Sequence, residues 1–265
     1  MKISLFLIIE FVLLILLISL MLNFVTKSTK ASNEDKVYIA IIIDDFGNNA
    51  AGTESMLSLP ISFTGAVMPK MPKSIEEKDR LISTGNEAIL HQPMESHHGQ
   101  RSWLGTAPIL SSMSINEASK VFTSNINELE NIKGFNNHMG SVITENTQIM
   151  NEIIKIAKEN NLYYLDSVTT GKSVGKAVTD KHGVTYLRRD VFLDSTQNVN
   201  KIKENLIKTY DIAASKGYAI AIGHVGAEGG KATYTAILDT YKELENKGVE
   251  FVTLSQLVEI INSSK

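Results

Sequence analysis

Residues 37–47 read VYIAIIIDDFG: seven consecutive apolar or aromatic residues, two adjacent carboxylates, an aromatic ring and a glycine. An apolar run without polar alternation fits a strand covered on both faces, the setting of a parallel α/β sheet. Four further runs end on a chemically active side chain. EAIL precedes His91, LYYL precedes Asp166, YAIAIG precedes His224 and the shorter GFNN precedes His138. In parallel α/β folds, functional groups gather beyond the carboxyl ends of the strands. Asp44, Asp45, His91, His138, Asp166 and His224 are therefore expected to form one site, despite their separation along the chain.

Working outward, strand-like runs alternate with segments whose apolar residues repeat at helical spacing, which is the pattern of a parallel α/β fold. Eight strands are predicted, over residues 37–43, 61–68, 87–91, 135–138, 162–166, 184–187, 218–223 and 250–253. Ser74 with Glu77, and Ser114 with Glu117, have the spacing of a capping box and mark two helix starts. Further helices are expected over 146–160, 198–216 and 231–247, the last two closed by Gly217 and Gly248, with Ser255 opening a short final one. Eight strands with intervening helices favour a barrel over an open doubly wound sheet. The long irregular stretches 92–112 and 167–179 each follow a candidate site residue, as binding loops do.

Residues 3–25 are apolar except for Ser4, Glu10, Ser19 and Asn23. That is long enough for one membrane-spanning helix, which takes ~20 residues. Residues 1–25 thus read as a signal anchor or signal peptide, 26–36 as a polar linker and 37–265 as the folded domain. The membrane is an expected partner through this helix, with the domain on the extracytoplasmic side of the cell membrane. There is no cysteine, so any metal must be held by histidine and carboxylate. The net charge of −3, with both signs interspersed, leaves no basic stripe and excludes a nucleic-acid partner. Thr169 to Ser173 resembles the end of a phosphate-binding loop, but the glycine required five positions before Gly171 is Asp166. A nucleotide partner is excluded on that ground.

Asp44 and Asp45 point to opposite sides if their strand continues, and together if it turns at Phe46-Gly47. One carboxylate could then ligate a metal while the other takes a proton from water. His91 is a ligand candidate, and Glu95 is either a second ligand or a partner that orients the imidazole. His97 and His98 lie farther into the loop and His182 in a polar turn, where solvated side chains are expected. Asn136 and Asn137 precede His138. Ser167, Arg189, Asp190 and Asp194 add polar groups around the same rim, with Arg189 and Asp190 also suited to pairing with each other.

The ordered set IIIDDFG at 41–47, LHQPME at 90–95, NNHMGS at 136–141, YLDS at 164–167, RDVFLD at 189–194 and AIGHV at 221–225 resembles the divergent polysaccharide deacetylase family. The resemblance covers almost all of the domain. It implies a fold similar to the NodB-type carbohydrate deacetylases, an irregular (β/α) barrel of about seven to eight parallel strands, and a divalent metal, most often zinc. It further implies Asp45, His91 and His138 as metal ligands, Asp44 as general base, His224 as general acid, and Asp166 and Arg189 as supporting catalytic residues. One position departs from the pattern. The two histidine ligands of better-studied deacetylases share a short HxxxH-like motif, and here the second is Glu95, so the third ligand is open between His138 and Glu95.

The activity so implied is metal-dependent removal of acetyl groups from an envelope or extracellular polysaccharide, such as peptidoglycan. Trp103, in the loop after His91, and Tyr163 or Tyr164 are candidates to stack on sugar rings. A glycoside hydrolase, or a non-catalytic glycan-binding protein retaining the fold, are the alternatives. Adjacent Asp44 and Asp45 are poorly placed to flank a glycosidic bond.

Overall fold

The computed structural model describes residues 14–16, 18–19, 21 and 36–263. The expected N-terminal span and linker lie almost wholly outside these residues. Among the described residues, no helix is long and apolar enough to cross a membrane.

Nine strands, all paired in parallel, form one sheet: β1 (Val37–Phe46), β2 (Thr64–Val67), β3 (Glu87–Met94), β4 (Gly134–Met139), β5 (Tyr163–Asp166), β6 (Tyr186–Arg188), β7 (Val191–Phe192), β8 (Tyr218–His224) and β9 (Val249–Phe251). Their order is β6-β5-β4-β3-β2-β1-β8-β7, with β9 paired to the first residues of β1. β6 and β7 sit at opposite ends of this order, yet only Arg189 and Asp190 separate them in the chain. The sheet must therefore curl until its edges nearly meet, giving a parallel half-barrel with an open seam. The expected barrel is present in this unclosed form, with one strand more than predicted because the 189–194 segment contributes β7.

The unbroken apolar run of β1 has a direct cause. Ile39, Ile41 and Ile43 pack outward against the helices, and Ala40 and Ile42 pack inward with Ile89, Leu165, Ile220 and Ile222. All four isoleucines of this strand are fully buried. Each such side chain contributes ~1.5–3 kcal/mol relative to exposure. Among the described residues from 36 on, eight α-helices follow the strands: α1 (Thr53–Leu57), α2 (Ser74–Ser83), α3 (Ile115–Leu129), α4 (Thr147–Glu159), α5 (Gly175–His182), α6 (Val199–Lys216), α7 (Gly230–Asn246) and α8 (Leu254–Ser263). Leu254 and Leu257 of α8 join the inward cluster, so this helix closes the amino-terminal end of the barrel.

Two capping expectations part ways. Ser114 and Glu117 form the reciprocal capping box, while Asn146 and Asn198 cap α4 and α6. Ser74 and Glu77 do not cap α2, because no side chain caps that helix. The Glu77 carboxylate instead crosses to the turn after β1 and accepts the backbone N–H groups of Gly47 at 2.6 Å and Asn49 at 2.5 Å. The tertiary contact wins because it satisfies two backbone donors of the turn, one of them buried, that no helix-internal group can reach.

Candidate functional site

Regular pleating would send Asp44 and Asp45 to opposite faces. The β1–β2 register breaks between Ile43 and Phe46, and Asp45 adopts a left-handed conformation with φ 70°. This bulge, braced below by Glu77, turns both carboxylates toward the carboxyl end of the barrel. A non-glycine residue there carries ~1–3 kcal/mol of strain that the surroundings must hold. Met139 at φ 55° and Val168 at φ 54° are strained in the same way just past the site. All three mark places where a strand end is bent to aim a side chain or a loop.

Three donor atoms meet in a triangle. Asp45 Oδ1 lies 3.3 Å from His91 Nε2 and 3.1 Å from His138 Nδ1, and the two imidazole nitrogens are 3.1 Å apart. Hydrogen bonds on the far side of each ring assign the protons. Asn136 donates Nδ2 to Asp44 Oδ1 at 3.0 Å and to Ser167 Oγ at 3.3 Å, so its Oδ1 accepts from His91 Nδ1 at 2.7 Å. His138 Nε2 donates to the Trp103 carbonyl at 2.9 Å. Both neutral rings therefore turn a lone pair toward Asp45, whose buried Oδ1 has no hydrogen-bond donor.

Three lone pairs at this separation repel unless a cation sits among them. Metal–ligand bonds of ~2.0–2.1 Å at tetrahedral angles place donors ~3.3–3.4 Å apart, close to the observed triangle. The residues thus fit a divalent metal. Without one, protons compete for the same atoms. Burial disfavours a charged His138, but the Asp45 carboxylate facing it outweighs this and raises its pKa. Burial likewise pushes Asp45 up, yet its contacts with His138 and His91 hold it well below the usual carboxylate range.

Asp44 and His224 flank the triangle. Asp44 is buried, with Oδ2 3.7 Å from His91 Nε2 and 4.0 Å from His224 Nε2. Burial raises its pKa, opposed by the charges of His91 and His224. His224 is gripped by Asp194, which accepts from the ring Nδ1 at 2.8 Å and from the backbone N–H at 2.7 Å, while also accepting from Thr233 Oγ1 at 2.6 Å. Burial lowers the His224 pKa, but the hydrogen bond and charge of Asp194 more than offset this and raise it to about 10. One group is thereby tuned toward accepting a proton and the other toward holding one.

A family model described as divergent polysaccharide deacetylase matches residues 41–258. The chain belongs to that family. It is 34% identical over 186 residues to YibQ, an uncharacterized protein of Escherichia coli strain K12, a stretch covering 70% of this chain and 58% of that protein. The chain thus spans less than two thirds of that relative's length. Among solved structures, uncharacterized protein ATU2773 of Agrobacterium tumefaciens C58 superposes with a TM-score of 0.77 at 18% identity, covering 85% of this chain and 90% of that one. The Bc1960 peptidoglycan N-acetylglucosamine deacetylase superposes at 0.56 with 14% identity, covering 84% of this chain and 88% of that one. At these identities the two structures share the fold.

Of the two candidates for a third donor, His138 lies in the triangle with Asp45 and His91, and Glu95 does not. Glu95 turns away and accepts the Ser111 N–H at 2.5 Å, a bond that lowers its pKa. Asp166 is buried at the rim but spends its carboxylate on Val168 N–H, Ser173 Oγ and Tyr186 Oη, so it shapes the following loop and does not face the triangle. Arg189 donates to the carbonyls of Ser167 and Val168 and lies over Phe192, whose ring packs against His224. It does not pair with Asp190, which binds Lys216 instead.

Tyr163 and Tyr164 are buried, their hydroxyls bound to Glu87 and Asn137, and neither can meet a sugar. Trp103 is exposed beside the site, with its carbonyl on His138. His97 pairs with Glu145 and His182 contacts Asn151, both away from the triangle. Asn136 and Glu77 were not singled out as site residues in the sequence, and Asp194 was placed only on the rim. Asn136 directly precedes Asn137-His138 and so carried a local signal. Glu77 carried none.

Proposed function

We propose that this chain is a metal-dependent hydrolase that removes acetyl groups from an envelope or extracellular polysaccharide, with residues 37–265 as its catalytic domain. The observation that carries the reading is the lone-pair triangle of Asp45, His91 and His138 beside two buried groups whose pKa values are both raised, Asp44 as a readier proton acceptor and His224 as a proton holder. Imidazole and carboxylate donors suit zinc among divalent metals. Bound there, the metal supplies Lewis-acid activation of a water and of the acyl carbonyl.

Asp44 accepts the proton that water releases as it attacks, and Asn136 holds that carboxylate in place through Oδ1. His224, fixed through Nδ1 by Asp194, presents Nε2 and protonates the leaving atom. Arg189 and Asp166 hold the loop after β5 that walls the site. Exposed Trp103 offers a face for a sugar ring. The apolar residues 3–25 would hold the domain at the outer face of the cell membrane.

The direct test is acetate release from N-acetylated chito-oligosaccharides or peptidoglycan, with and without chelator. Acetate that appears with metal and stops with chelator is the expected result. A chelator-insensitive rate, or shortened sugars in place of acetate, would overturn the reading.

The His224–Asp194 pair makes a second expectation. His224 acts in its protonated form, so activity falls as pH rises through its pKa. Asp194→Asn removes the charge that raises this pKa, and desolvation then pulls it down toward or below the ordinary histidine value. The alkaline limb of kcat/KM should move to lower pH by more than ~1 unit. A limb that stays in place would remove His224 from the acid role.

A further inference from the structure

Glu228 takes no part in the mechanism above, yet its Oε2 lies 3.6 Å from His224 Nε2. That nitrogen must come within ~2.6–3.2 Å of the leaving atom to protonate it. A leaving atom that approaches Nε2 from the Glu228 side arrives within reach of the carboxylate as well. Although the Glu228 side chain is 60% exposed, the loop that carries it is closely held. Val225 N–H donates to the Asp44 carbonyl at 3.1 Å, Gly226 N–H to the Ala51 carbonyl at 2.8 Å, and Gln197 Nε2 to the Ala227 carbonyl. A Cβ on Gly229 would lie 1.9 Å from Asp194 Oδ2, so the backbone next to Glu228 presses directly on the carboxylate that orients His224.

We propose that Glu228 is a specificity-determining residue, whose carboxylate accepts the N–H of a scissile amide and so favours N-acyl over O-acyl substrates at this site. The inference rests on the deacetylase reading. An acetamide carries one hydrogen on the leaving atom, and an acetate ester carries none. At the same position the amide N–H meets an acceptor, whereas the ester oxygen turns lone pairs toward a carboxylate.

The contrast persists through the reaction. Water forms the new C–O bond and gives one proton to Asp44. The C–N bond breaks with its electron pair passing to nitrogen, which takes the proton from His224 Nε2; an amine and acetic acid depart, and the acid gives its remaining proton to solvent to become acetate. The nitrogen gains a hydrogen and positive character beside Glu228 during this step. An ester oxygen leaves as a neutral alcohol and gains less from the same neighbour. A site built to meet an N–H rejects the analogue lacking it, and the solvent exposure of Glu228 scales the effect down from that of a buried acceptor.

The test compares the full metal-loaded chain with its Glu228→Ala and Glu228→Gln variants on an N-acetylated chito-oligosaccharide and an O-acetylated xylo-oligosaccharide. Assays run well below the alkaline limb, where His224 is protonated in every variant. Glu228→Ala should lower the amide-to-ester ratio of kcat/KM by about tenfold or more, and Glu228→Gln, which keeps an acceptor oxygen, should restore a large part of it. An unmoved ratio with acetate released from both substrates overturns this inference alone. So does a loss seen only near the alkaline limb, since Glu228 would then act through the charge on His224. No acetate from either substrate with the wild-type chain overturns the deacetylase reading and this inference together.

Discussion

Asp44→Asn is expected to lower acetate release by ~10²–10⁴-fold, the usual contribution of a positioned general base. The amide oxygen can still accept from Asn136 Nδ2, so the Asn136 to His91 chain stays in place and the rings keep their orientation. What disappears is a buried carboxylate oxygen set between His91 and His224, outside the triangle. The effect should fall on kcat, because a proton acceptor acts in the transition state more than in binding. Rates measured beside elemental analysis separate the two roles. Metal content should stay near that of the wild-type chain. A variant that keeps more than a tenth of the activity would place the base elsewhere, and a variant that loses its metal would make Asp44 a ligand.

His91→Ala and His138→Ala should each abolish stoichiometric metal binding and, with it, turnover. Each removes one corner of a triangle that has three. Loss of a ligand exceeds the ~10–100-fold cost of losing a group that merely orients one. Asn136→Ala belongs to that milder class, since it frees the His91 ring without removing its donor nitrogen. The fold should survive all three changes. The barrel is held by two large apolar clusters beneath the site, and no core residue depends on the metal for its contacts. Elemental analysis and thermal unfolding on the same samples give the check: metal lost with the transition retained. The wild-type affinity should also fall as pH drops, because the raised pKa of His138 lets protons claim its donor atom first. Binding that is indifferent to acid, or full metal content in His138→Ala, would remove this triangle from the chemistry.

The parts of this molecule that could be read along the chain are those whose physics is local. A run such as VYIAIII announces a strand buried on two faces, and the polar residue that ends it announces the rim. Ser114-x-x-Glu117 carries its own hydrogen bonds within one helical turn and behaved as its spacing suggests. Ser74-x-x-Glu77 has the same spacing and failed, because Glu77 found two donors about thirty positions earlier in the chain. Tyr163 and Tyr164 show the reverse limit. Aromatic rings able to stack on sugar are equally able to fill a core, and alternation within a covered strand buries both.

Which carboxylate joins the two histidines could not be read from the pair Asp44-Asp45. That choice depends on the bulge, on the positive φ of Asp45 and on Glu77 beneath the turn. That His138 and not Glu95 lies in the triangle likewise depends on a nonlocal bond, the one from Ser111 that draws Glu95 away. The direction of the lone pairs depends on partners such as the Trp103 carbonyl and Asn136. Periodicity and residue type told where the strands run and which side chains crown them, since burial follows from neighbours in the chain. The aim of those side chains and the protons they carry follow from contacts that exist only once distant segments have packed together.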